Sequence, residues 1–68
     1  MMKEIFRYTK TGQLYEVVQK AIMKNPITRE WEDCVIYQQH GIENPMTFVR
    51  NAEEFYNSGR FEKYENEF

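Results

Sequence analysis

The sequence predicts a mainly β domain: a small curled antiparallel sheet or open SH3-like barrel of four to five strands, with one short helix near residues 51–58. Three observations carry this. Cys34-Val35-Ile36-Tyr37 is a short apolar run, bounded by acidic residues before it and Gly41 after it, and reads as a central strand with apolar side chains on both faces. IFRYTK and MTFVR alternate with the two-residue period of a pleated strand. Asn51, followed three residues later by Glu54 and then by Gly59, has the spacing of a capped two-turn helix.

Taken in order, IFRYTK is a strand entering a turn at Thr11-Gly12. The next stretch, GQLYEVVQKAIMKNP, fits two periods. Leu14, Val17, Val18, Ala21 and Ile22 fall on one helical face, while Tyr15, Val17, Ala21 and Met23 fall on one side of a strand. Thr11 can cap the helix and Asn25-Pro26 can stop it; Gly12 and the crowd of β-branched and aromatic residues favour the strand. The pattern alone leaves this open. NPITREWED, residues 25–33, reads as the longest connection, and DCVIYQQHG as the central strand. GIENP is a turn and MTFVR a strand. In NAEEFYNSG the Asn51 side chain caps the helix, Glu54 reaches back to the cap's own N–H, and Phe55 docks the element. RFEKYENEF returns as an edge strand and then frays from about residue 65.

Sixty-eight residues form one domain, residues 1–68, near the lower limit for an independent core. The single Cys34 excludes an internal disulfide and suits a reducing compartment. The start MMKEIFRYTK contains no apolar stretch of signal-peptide length, and the longest apolar run is too short to span a bilayer. A cytoplasmic location with no membrane is the expectation. Net charge is −2, but residues 1–29 carry six basic against two acidic groups and residues 30–68 three against nine. In a compact fold these halves interleave into a mixed surface. Aromatic residues make up 16% of the chain, which gives a small domain large side chains from which to build a core.

Candidates for chemistry are few. Cys34 and His40, placed on one strand six residues apart, would be roughly 20 Å from each other, beyond hydrogen-bond reach, and together they fall short of a zinc ligand set. Glu53 and Glu54 are explained by helix capping, and there is no glycine-rich phosphate cradle. The expectation is a protein that is not an enzyme and has no cofactor and no metal. Arg50 ends an apolar strand where a helix begins. It either holds an anion with the helix's first N–H groups or pairs with Glu53 or Glu54 and fastens helix to sheet. Tyr15, Trp31 and Tyr37 are aromatic platforms that could join Arg50 in a ligand site.

The order of segments resembles a known family. A short turn, then GQLYEVV with Ala21 soon after, then VIYQ, then FVR, then EEF with Phe55 five residues past Arg50, is similar to the small bacterial and phage family called domain of unknown function 1653. The likeness covers roughly residues 6–62. It implies a compact, mostly β, barrel-like domain in which LYEVV is extended, from a phage or bacterium, and it implies no activity. The family pattern has Trp before its Val-Arg pair and Pro after it, where this chain has Phe48 and Asn51, and Trp31 matches nothing in the pattern.

The functional expectation is a small non-enzymatic binding module that recognises a protein partner or itself, as a homodimer. The alternative is a sequestering protein for a small nucleotide-like or phosphorylated ligand. Nucleic-acid binding ranks third, because the chain is acidic overall and has no basic cluster to track phosphates.

Overall fold

The computed structural model describes residues 4–64. It contains five strands and one helix: β1 (Ile5–Tyr8), β2 (Leu14–Lys24), β3 (Trp31–Gln39), β4 (Thr47–Asn51), α1 (Ala52–Asn57) and β5 (Phe61–Lys63). They form one antiparallel sheet in the order β4-β3-β2-β1-β5. The curled sheet with one short helix is therefore correct. The barrel is not formed: β4 and β5 are the two edges, and α1, packed on β3, β4 and β5, fills the opening between them.

The segment of ambiguous period is a strand throughout, and its geometry explains the ambiguity. β2 pairs with β3 from Tyr15↔Gln39 to Lys24↔Trp31, with a register shift between Val17 and Gln19. Val18 is thus one extra residue in the ladder, a β-bulge that reverses the facing of everything after it. Tyr15 and Val17 pack on the core, but Ala21 stands beside Cys34 and Met23 beside Glu32, on the opposite face. The single strand face expected from Tyr15, Val17, Ala21 and Met23 is split. A phase jump in a two-residue period produces spacings of three and four, which is why a helix also fitted.

The expected connection over 25–33 is shorter, residues 25–30, because Trp31, Glu32 and Asp33 pair with Lys24, Met23 and Ile22 and extend β3. Asn25 builds this loop. Its Oδ1 accepts from the N–H groups of Ile27 at 2.8 Å and Thr28 at 3.1 Å, and its carbonyl accepts from Arg29 at 2.8 Å. At the other end β3 stops at Gln39, so His40 lies past the strand rather than within it.

α1 begins as the sequence predicts. Asn51 Oδ1 accepts from the N–H groups of Glu53 at 2.9 Å and Glu54 at 3.2 Å, and Gly59 follows the helix at φ +81°. The reciprocal Glu54-to-cap bond gives way to a different contact: Glu54 Oε1 accepts from Arg50 Nη1 at 2.7 Å and Arg60 Nη1 at 3.1 Å. β5 is the expected edge strand, and the end predicted to fray lies outside the described residues.

The core is aromatic. Phe55 projects from α1 with no exposed surface, stacks on Phe61 with ring centroids 4.3 Å apart, and meets Phe6 and Tyr37 at 5.0 Å each. Val35 completes the buried cluster, with Tyr8, Tyr15, Val17, Phe48 and Ala52 around it. The aromatic surplus is core-building, as expected. The uneven charge is also interleaved: Arg7 of the basic half pairs with Glu62 of the acidic half across β1 and β5.

Candidate functional site

Three of the four residues singled out in the sequence converge. Arg50 on β4 sits opposite Val35, two rows along and on the same face as the Tyr37–Phe48 pair. Arg50 Nε donates to the Tyr37 hydroxyl at 3.1 Å, and the Tyr15 and Tyr37 rings meet edge to face at 5.5 Å. The Arg50 guanidinium carbon also lies 5.3 Å from the Phe61 ring centroid. Trp31 is elsewhere. It pairs with Lys24 at the far end of β3 and is mostly exposed, four residues, or roughly 13 Å, beyond Val35 along the strand.

The Arg50 cluster is chemically committed. The hydrogen bond that Arg50 donates to Tyr37, ahead of the lesser effects of Glu54, raises the guanidinium's proton affinity above its ordinary value, while partial burial opposes this. Its Nη1 donates to Glu54 Oε1 at 2.7 Å, so Arg50 fastens the helix to the sheet. The recess that Arg50 lines with Tyr8, Tyr15, Tyr37, Phe48 and Phe61 is about 100 Å³, room for a few waters. Sites for drug-sized ligands run to about 300–1,000 Å³.

A larger recess, about 410 Å³, lies between α1 and the outer half of β2 and β3. Lys20, Ile22, Asp33, Val35, Ala52 and Tyr56 are among its lining residues. Lys20 Nζ stands 5.9 Å from the Tyr56 ring centroid. Burial, and then the negative charge of Glu4, raise the Tyr56 pKa above 10.0. Sequence reasoning missed this place because Asp33 was assigned to a connection and the bulge at Val18 hid the facing of Lys20 and Ile22. The signal available was the match of KAIMK to WED, basic and apolar residues opposite acidic and aromatic ones.

The same half of the molecule is an arm. Among the described residues β4 pairs with β3 only as far as Cys34↔Asn51, and β1 pairs with β2 only over Leu14–Glu16, plus one bond from the Val17 N–H to the Glu4 carbonyl at 3.0 Å. Beyond these points β2 and β3 continue as a two-stranded ribbon closed by the Asn25 loop. On it are exposed Ile22 (63%), Met23 (47%), Ile27 (89%) and Trp31 (64%). An exposed apolar group of this kind marks a contact surface more often than an accident of composition.

Cys34 is buried and His40 is not its neighbour: the His40 ring faces Glu16, with Nδ1 3.9 Å from Oε1, while Gln38 donates to that same oxygen at 3.1 Å. Among the described residues no group of three or more His, Cys, Asp or Glu is arranged to hold a metal ion, and no helix is long and apolar enough to cross a membrane. Comparison of the chain with known protein families, with curated proteins and with solved structures finds no match.

Proposed function

We propose that this protein is a small non-enzymatic binding module whose target is another protein surface, engaged through the β2–β3 arm. The observation that carries the reading is the concentration of exposed Ile22, Met23, Ile27 and Trp31 on a ribbon that the other described elements leave uncovered. Burying such side chains against a partner is favourable by about 25 cal/mol per Å² of apolar area. Aromatic anchors such as Trp31 are the residues that dominate binding energy at interfaces. A photo-crosslinking residue at position 27, introduced into the full chain in its host, tests this. The reading expects discrete protein adducts that are absent when the crosslinker is moved to Arg60; the same adducts from both positions would contradict it.

A second reading, sequestration of a nucleotide-like or phosphorylated ligand, is favoured by the convergence of Arg50, Tyr15 and Tyr37. It stands behind the first because Arg50 is already bonded to Tyr37 and Glu54 and the adjoining recess is small. Thermal-shift screening against nucleotides tests it, with stabilisation by a nucleotide in the native chain and its loss in Arg50→Ala as the supporting result.

A further inference from the structure

We infer that the recess between α1 and the outer half of β2 and β3 is a binding site for a free apolar α-amino acid, with Lys20 holding its carboxylate and Asp33 its ammonium. The inference stands apart from the protein-binding reading. Past the Val18 bulge Lys20 pairs with Val35 and Ile22 with Asp33, so these four side chains share one face of the ribbon. It is the face from which Val35 joins the core beside Phe55. Lys20 and Asp33 are diagonal neighbours on it, roughly 7–8 Å apart at the backbone. Among the described residues neither makes an ion pair. The Lys20 ammonium stands instead 5.9 Å from the Tyr56 ring centroid, where the ring face attracts it. The recess therefore offers one cation and one anion beside the apolar surfaces of Ile22, Val35, Ala52 and Tyr56.

That pair of charges selects the ligand. A simple anion is repelled by Asp33 and a simple cation by Lys20, whereas a zwitterion with both groups on one carbon satisfies the two together through charge-assisted hydrogen bonds. Direct contact between Lys20 and Asp33 would be an exposed ion pair worth little, so a ligand that bridges them displaces nothing of consequence. The volume, about 410 Å³, lies at the lower end of the range of small-molecule sites. It suits one amino acid whose aliphatic or aromatic side chain covers Val35 and Ala52. Because both charges are solvent-exposed, the dissociation constant is about a millimolar.

Amide NMR of the full chain tests the site, with titration by L-leucine, by isocaproate, which is leucine without its ammonium, and by isoamylamine, which is leucine without its carboxylate. Leucine should give saturable shifts at Lys20, Ile22, Asp33, Ala52 and Tyr56, and each analogue should bind about fivefold more weakly. Asp33→Asn should erase the preference for leucine over isocaproate, and Lys20→Met the preference for leucine over isoamylamine. Both side chains are exposed, so the variants keep the fold, and amides remote from the recess report this directly. Absence of a saturable shift with leucine at tens of millimolar overturns the inference. So do analogues that bind as tightly as leucine, or variants that keep both native preferences. The adducts from position 27 test the protein-binding reading separately, so either can fail while the other stands.

Discussion

Phe55 is the side chain on which the core is centred. It is fully buried between Phe6, Tyr37 and Phe61, and it is the contact through which a two-turn helix covers the sheet. Replacing a buried Phe by Ala costs about 3–5 kcal/mol, and a domain of this size has only a few kcal/mol to lose. Phe55→Ala is therefore expected to abolish the cooperative urea transition followed by Trp31 fluorescence or far-UV circular dichroism. Tyr56, its neighbour, gives a pH prediction. Its phenol is harder to ionise in the folded chain than in the unfolded one, so the unfolded state loses this proton first and stability falls as pH rises above 10.0 toward the folded pKa. Below 10.0 that contribution is fully present. Tyr56→Phe is expected to lose less stability than the native chain between neutral and strongly alkaline pH, a difference measurement that cancels the other titrating groups. Arg50 was legible as a hinge between sheet and helix from its place between an apolar strand and an N-cap. Its bond to Tyr37 was not, because strand partners are set by register across space.

At the scale of elements, the arm and the helix are joined by one carboxylate. Glu32 Oε2 accepts from Asn25 Nδ2 and Glu32 Oε1 from Asn51 Nδ2, both at 2.9 Å. Asn25 shapes the arm's loop and Asn51 caps α1, so Glu32 ties the ribbon's closure to the helix start. Removing it leaves both asparagines their backbone bonds but frees them to turn. Glu32→Ala is expected to destabilise the domain by about 1–2 kcal/mol, with faster amide exchange in both the 25–30 loop and α1. Loss confined to one element would show that the two are not coupled through this side chain. The element boundaries that sequence reasoning placed well, β4 and α1, carry local signals: alternation and a cap. The start of β3, which it misplaced, carries none, since Trp31, Glu32 and Asp33 are extended only because Ile22–Lys24 lie alongside them.

At the scale of the molecule, a body of 42 × 24 × 23 Å combines a packed end with a slender one. The packed end contains the aromatic core and the helix; the slender end has two strands, a loop and uncovered apolar side chains. Composition foretold the first, because so small a chain needs large side chains to bury. The second depended on the Val18 bulge, which adds one residue to β2, changes the facing of the strand beyond it, and is invisible to any single period. Among the described residues no strand covers the outer edge of β2 from Val18 to Lys24, and the account depends most on that edge being bare. Residue-resolved amide exchange on a dilute, monomeric sample tests it directly. Amides pointing toward β3 should be protected and those pointing outward should exchange freely, giving alternation along residues 19–24, past the bulge. Uniform protection would mean that the edge is covered within the monomer, and uniformly fast exchange that the ribbon is not formed; either pattern contradicts the account.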